Sequence, residues 1–98
     1  MRGSATGRPI MAALDLLGRR GALRLVWELR ERRVLTFRAL ADAAELPPAT
    51  LNARLKELRA CGIVSARAGY ALTPRGAALL RAIAPLSAWA KASGGAEL

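Results

Sequence analysis

Apolar residues recur at helical spacing along most of the chain, with interruptions at glycine, proline and threonine. The pattern predicts five helices, over residues 10–17, 22–32, 37–44, 48–61 and 74–92. Thr36 and Thr73 each precede one of these helices and are expected to accept a hydrogen bond from a first-turn N–H. Gly62 is expected to end the fourth helix, and Pro85 predicts a kink in the last one. The chain is therefore expected to be mostly helical.

Two of these helices indicate which of their sides faces the core. In the fourth helix, Leu51, Leu55 and Leu58 follow the spacing i, i+4, i+7 and form one narrow apolar stripe. In the second helix, Trp27 lies on the apolar side, so we expect it to be buried. Because aromatic residues are only 4% of the chain, the core must consist mainly of aliphatic side chains.

Two short apolar stretches after the fourth helix have the character of β-strands. Residues 63–67 and 70–73 are expected to pair as a hairpin, joined by a tight turn at Ala68 and Gly69. From Thr36 to Thr73, the predicted order is therefore helix, tight turn, amphipathic helix and hairpin. This order predicts a mostly α (α+β) fold, a winged helix-turn-helix with a short two-stranded wing and flanking N- and C-terminal helices.

The predicted domain covers residues 10–92. Residues 1–9 are rich in glycine, serine and arginine without an apolar period, and we expect a disordered basic tail there. A second disordered tail is expected over residues 93–98, where two glycines end the last helix.

The charge of the chain is strongly positive and unevenly distributed. Sixteen lysines and arginines face seven acidic residues, which gives a net charge of +9. No aspartate or glutamate occurs between Leu58 and Ala96. Such an excess predicts attraction to a polyanion or an anionic membrane surface, and its distribution favours nucleic acid. The alternative is a solubilising surface.

The inventory of reactive residues argues against an enzyme. The chain has no histidine and a single cysteine, Cys61, so neither an intrachain disulfide nor a zinc or haem site is expected, and no cofactor is predicted. There is no cluster of carboxylates and no glycine-rich phosphate loop. No apolar run approaches the ~18 residues of a membrane span, and no signal peptide is evident, so we expect a cytoplasmic protein without membrane contact.

The side of the fourth helix opposite its leucines carries small and polar residues suited to a DNA groove. Asn52 can pair with the edge of adenine, and Lys56 and Arg54 can bind phosphate or guanine. Arg54 can instead pair with Glu57, and the others can be plain solvated residues. The residues expected to contact DNA are Arg38, Pro48, Ala49, Thr50, Asn52, Ala53, Arg54, Lys56, Arg67 and Tyr70.

Several blocks of the sequence resemble one family of bacterial regulators. Residues 16–21 read Leu-Leu-Gly-Arg-Arg-Gly, residues 51–58 read Leu-x-x-Arg-Leu-Lys-Glu-Leu, and residues 70–76 read Tyr-x-Leu-Thr-Pro-x-Gly. Their order and spacing resemble the HxlR-type winged helix-turn-helix transcription regulators of the MarR-like superfamily. The resemblance implies binding of double-stranded DNA at a pseudo-palindromic operator, usually for repression. The chain departs from the family in its shorter wing and in lacking a cysteine near the N-terminus.

The resemblance also implies a homodimer built from the N- and C-terminal helices. Apolar residues on those helices are then expected to form the dimer interface: Leu14, Leu17, Leu79, Ile83, Leu86 and Trp89. The alternative is that the C-terminal ones fold back onto the first helix of their own chain. A cleft between such helices could hold a small-molecule effector.

Two functions therefore follow from the sequence. The first is a sequence-specific DNA-binding transcriptional regulator, a repressor by resemblance. The second is a winged-helix module for dimerisation or protein interaction, with weak or no specific DNA binding. The short wing and the alanines Ala49 and Ala53 motivate the second.

Overall fold

A computed structural model describes residues 8–94, which form six helices and one two-stranded antiparallel sheet. The elements are α1 (Pro9–Leu17), α2 (Ala22–Glu28), α3 (Phe37–Ala44), α4 (Pro48–Ala60), β1 (Val64–Ala66), β2 (Tyr70–Leu72), α5 (Pro74–Ile83) and α6 (Pro85–Ala92). This arrangement confirms the predicted mostly helical fold with a short wing. The tails predicted at the two ends lie outside the described residues as far as residue 7 and from residue 95 onwards.

The leucine stripe of α4 is the centre of the core. Leu51, Leu55 and Leu58 are all buried, as their spacing predicts. They pack with apolar residues of α2, α3 and β1, among them Leu25 and Leu40. No polar or charged residue is buried among the described residues. The amphipathic pattern of α4 therefore fixes which side of this helix remains available to solvent.

The second helix is shorter than the prediction of 22–32. It ends at Glu28, and Glu31 and Arg32 both have φ of +60°. Two left-handed residues in succession cannot continue an α-helix, so the chain turns there towards α3. The residue types do not predict that α2 ends here, since neither Glu31 nor Arg32 is glycine.

The expectation that Trp27 is buried is wrong. Its side chain is 36% exposed, whereas Leu25, Val26 and Leu29 are fully buried. The apolar face of α2 is therefore centred on Leu25 and Leu29. The guanidinium of Arg30 lies 4.7 Å from the centroid of the Trp27 ring and covers part of it.

The hairpin also differs from the prediction in its turn. Ala66 pairs with Tyr70, so three residues connect the strands and Arg67 belongs to the loop. Tyr70 forms an additional bridge to Leu35, with two backbone hydrogen bonds of 3.0 and 2.8 Å. The Phe37 and Tyr70 rings lie 6.4 Å apart. The hairpin is thus fixed to the chain that enters α3.

The predicted last helix consists of two helices. Ala84 retains helical φ and ψ of −56° and −36°, and it caps both α5 and α6. Pro85 has no N–H to donate to the carbonyl one turn earlier, so the helix breaks there. The kink that Pro85 predicts is therefore present as a boundary between α5 and α6.

Candidate nucleic-acid interface

A short turn sets the position of α4 relative to α3. Thr36 caps α3 by accepting a hydrogen bond of 3.0 Å from the N–H of Ala39. Glu45 ends α3 in the left-handed conformation, with φ of +55°. Pro47 then precedes α4 with extended backbone, and Pro48 begins it. This is a helix-turn-helix arrangement in which α4 is the second helix.

The solvent side of α4 carries most of the residues predicted to contact DNA. Pro48, Ala49, Asn52 and Lys56 are exposed, and Thr50 and Ala53 are half-buried beside them. No acidic side chain is among them. Because the opposite side is held in the core, this side of α4 faces solvent.

The N-terminus of α4 has no side-chain cap, in contrast to those of α3 and α5. The first backbone hydrogen bond of the helix runs from the Leu51 N–H to the Pro47 carbonyl, at 2.9 Å. Within the described residues, the N–H groups of Ala49 and Thr50 therefore have no backbone or side-chain acceptor. Such N–H groups, with the positive end of the helix dipole, suit a phosphate.

A basic groove lies between α4 and the hairpin. Lys56 and Arg59 of α4, Val64–Ala66 of β1 and Arg67 of the hairpin loop are among the residues that line it. Its volume is about 520 Å³. None of the three cations forms an ion pair with any residue between 8 and 94. The groove therefore presents three uncompensated positive charges to solvent.

Arg59 is a residue of this groove that the sequence interpretation did not single out. It is exposed in the last turn of α4, three residues after Lys56. Residues three apart are neighbours on a helix surface, and Arg59 opens the segment without acidic residues. Those two signals together could have identified it.

Three other residues predicted to contact DNA are not part of the exposed polar side of α4. The guanidinium of Arg54 is turned to Glu57, with hydrogen bonds of 2.9 and 3.2 Å. Tyr70 is half-buried against Phe37. Arg38 is exposed in the first turn of α3.

Ion pairs are confined to the part of the described chain that ends at Glu57. Arg24 pairs with Glu28 and Glu45, at 3.7 Å in each case. After Glu57, the described chain contains no acidic residue, although it carries four more arginines and Lys91. Some cations before Glu57 are therefore neutralised within the fold, whereas those that follow Glu57 form no ion pair with any residue in the described range.

The residues predicted for a dimer interface differ in exposure. Leu14, Leu86 and Trp89 are more than half exposed, at 54, 54 and 55%. Leu79 and Ile83 are half-buried and pack against the core of their own chain, and Leu17 is half-buried as well. An apolar cleft of about 430 Å³ separates α2 from α5 and α6, with Leu86 on its wall.

Among residues 8–94, no three metal-ligating side chains lie together. Cys61 is a free, half-buried thiol at the end of α4. No described helix combines the length and the apolar character needed to cross a membrane.

A comparison with known protein families gives a match that covers the helix-turn-helix. Residues 22–65 match the family model for winged helix-turn-helix DNA-binding domains. The match begins with α2, includes α3 and α4, and ends within β1. No curated protein gives a significant match to the chain. The chain therefore has the winged helix-turn-helix fold, and its residues 22–65 are similar to the DNA-binding domains built on that fold.

Proposed function

We propose that the protein binds double-stranded DNA through α4 and the hairpin and thereby regulates transcription. The observation that carries this proposal is the basic groove, in which Lys56, Arg59 and Arg67 have no acidic partner among residues 8–94. Their charges are available to neutralise phosphates, which supplies most of the affinity of proteins for DNA.

In the proposed complex, α4 lies in the major groove, whose width of about 12 Å accommodates a helix. Asn52 reads the edge of adenine, and the small side chains of Ala49 and Ala53 permit close approach to thymine methyl groups. The free N–H groups at the start of α4 bind one phosphate, and the groove cations bind others. Arg38 is placed to contact the backbone from α3.

The finer assignment is an HxlR-type repressor that binds a pseudo-palindromic operator as a homodimer in the cytoplasm. Exposed Leu14, Leu86 and Trp89 support a dimer, because no other part of the described chain, residues 8–94, buries these large apolar side chains of the terminal helices. An apolar effector could occupy the cleft between α2 and α6. The alternative, an interaction module with weak DNA binding, is favoured by the three-residue hairpin loop, which limits the reach of the wing.

Selection of bound sequences from random duplex DNA, followed by titration of the selected duplex at several salt concentrations, tests the proposal. We expect a recurrent half-site and an affinity that falls steeply with salt. Asn52→Ala should relax the preference at one base pair, by about 1–3 kcal/mol of discrimination.

Lys56→Ala and Lys91→Ala form a matched pair, since both remove an exposed helical lysine. Lys56→Ala should reduce the salt dependence of log K by about one, whereas Lys91→Ala, on α6, should not. Enrichment of no sequence, together with equal effects of the two lysine substitutions, would favour the interaction module.

A further inference from the structure

One acidic side chain joins α4 to a distant part of the chain. Oε1 of Glu57 accepts a hydrogen bond of 2.9 Å from Nε of Arg54, and Oε2 accepts one of 3.2 Å from Nη2 of the same arginine. Oε2 also accepts a hydrogen bond of 3.2 Å from Nη1 of Arg19, which lies 38 residues earlier in the turn between α1 and α2. One carboxylate thus holds two guanidinium groups from different elements.

The backbone of the same turn belongs to this cluster. Nη1 of Arg54 lies 3.5 Å from the carbonyl oxygen of Arg20 and donates a long hydrogen bond to it. Arg54 therefore contacts the turn directly at Arg20, and it is also linked to the turn through Glu57, which binds Arg19. Its side chain is only 16% exposed, far less than is usual for a surface arginine.

Apolar packing between α1 and α4 is incomplete beside the cluster. A groove of about 180 Å³ separates the two helices, with Ala12 and Leu16 on one side and Ala60 and Cys61 on the other. Arg19 and Glu57 line the same groove. The hydrogen-bonded cluster consequently spans a junction that side-chain packing does not fill.

We propose that Arg19, Arg54 and Glu57 form a positioning site that sets the orientation of α4 on DNA, and that Arg54 acts through Glu57 without touching DNA. The inference rests on the proposed function. It assigns Arg54 a different role from the direct contact predicted from sequence, and it gives a DNA-related role to Arg19, a residue outside the helix-turn-helix.

The charges of the cluster support a positioning role for Arg54, and they leave phosphate binding to other cations of α4. To reach a phosphate, the Arg54 guanidinium would have to exchange two charge-assisted hydrogen bonds with Glu57 for bonds to another anion. The phosphate would also approach the negative charge of Glu57. Lys56 and Arg59, which flank Glu57 on α4, have no such partner among the described residues and can bind phosphate without this exchange.

The test compares the affinity of each variant for the selected duplex and for a scrambled duplex over a range of salt concentrations. Arg54→Ala and Arg19→Ala should each lower the ratio of the two affinities by about three- to tenfold, because α4 loses its fixed orientation. Neither should change the slope of log K against log salt, whereas Lys56→Ala should reduce it by about one. A merely structural role would leave the affinity ratio of the folded molecules unchanged.

Conservative substitutions give a second readout. Arg19→Lys can keep a single hydrogen bond to Glu57. Its ratio of affinities for the selected and scrambled duplexes should therefore be close to that of the wild type, unlike the ratio of Arg19→Ala. Arg54→Lys cannot form the two parallel bonds and should not restore the affinity ratio. Arg81→Ala serves as the control for loss of an arginine elsewhere, because Arg81 is exposed on α5 and forms no ion pair among residues 8–94. Circular dichroism establishes that each variant is folded.

Two results would overturn the inference: a salt slope that falls by about one in Arg54→Ala, or an affinity ratio that is unchanged in Arg19→Ala. Absence of DNA binding by the wild-type protein would overturn the proposed function first. In that event, a double-mutant cycle of unfolding between Arg19→Ala and Glu57→Gln still tests the cluster, and additive effects would show that it does not couple the two elements.

Discussion

At the scale of single residues, the first turn of α5 lies directly on the chain that leaves α4. Gly76 is buried, and a Cβ atom at this position would lie 2.1 Å from the carbonyl oxygen of Ile63. Thr73 connects the start of α5 to the chain that leaves α4. Its hydroxyl accepts a hydrogen bond from the Gly76 N–H, and its own N–H donates one to the carbonyl oxygen of Ile63. The position of α5 therefore depends on the absence of a side chain at one residue.

Gly76→Ala is expected to destabilise the fold by about 1–3 kcal/mol, because the backbone of Ile63 must move to admit the methyl group. Thermal unfolding followed by circular dichroism measures the effect. Ala78→Ser, at an exposed position of the same helix, should change the stability by no more than about 0.5 kcal/mol. Equal melting temperatures for the two variants would contradict the close approach.

Arg59 provides a test of the basic groove at residue scale. Arg59→Ala should weaken DNA binding uniformly across sequences and reduce the salt slope by about one, because one phosphate contact is lost. Arg81→Ala removes another exposed arginine that has no ion pair among residues 8–94, but from α5. If the two variants showed the same slope as the wild type, Arg59 would not face DNA.

At the scale of elements, the helices differ in how their N-termini are satisfied. Threonine hydroxyls cap α3 and α5, whereas α4 begins with two prolines and no cap. A cap stabilises a helix by occupying its free N–H groups, and it thereby also removes them from binding. The helix assigned to DNA is the one of the three in which no side chain of the described chain accepts a hydrogen bond from a first-turn N–H.

Thr36→Ala should lower the free energy of unfolding by about 1 kcal/mol, because the Ala39 N–H loses its acceptor. Denaturation with urea measures this loss, and Thr36→Ser should recover most of it. DNA affinity of the folded variant should stay close to that of the wild type, since Thr36 is not among the residues proposed to contact DNA. A loss of affinity without a loss of stability would place Thr36 in the interface.

At the scale of the whole molecule, exposed cations and exposed apolar side chains are concentrated on different elements, and α6 carries both. The cations that follow Glu57 form no ion pair among residues 8–94, and they lie on α4, the hairpin loop, α5 and α6. The exposed apolar side chains of α1 and α6 include Ile10, Leu14 and Trp89. A surface of the first kind suits a polyanion, and one of the second kind suits another protein surface. In the proposed assembly, α4 and the hairpin contact DNA, and α1 and α6 contact a second copy of the chain.

Trp89→Glu is expected to shift the protein from dimer to monomer, because a charge at the centre of an apolar interface is unfavourable. Sedimentation velocity measures the change. Val34→Glu introduces the same charge at an apolar residue before α3 whose exposure is similar, 56% against 55% for Trp89, and it should leave the association state unchanged. A monomeric wild-type protein at micromolar concentration would exclude the proposed dimer.

Local patterns in the sequence were sufficient to predict most of the fold. The leucine stripe predicted the buried side of α4, and Thr36 and Thr73 predicted two helix starts, because these features depend on residues within one or two turns. The end of α2 could not be predicted, since left-handed Glu31 and Arg32 follow from tertiary constraints on ordinary residues.

By itself, therefore, the sequence determined the order of elements, the outward side of α4 and the excess of positive charge. The tertiary structure decided how distant residues combine: Trp27 at the surface, Arg19 on Glu57, and Arg67 across the groove from Lys56 and Arg59. Helical periodicity is a property of neighbouring residues, whereas a contact across 38 positions depends on how whole elements pack.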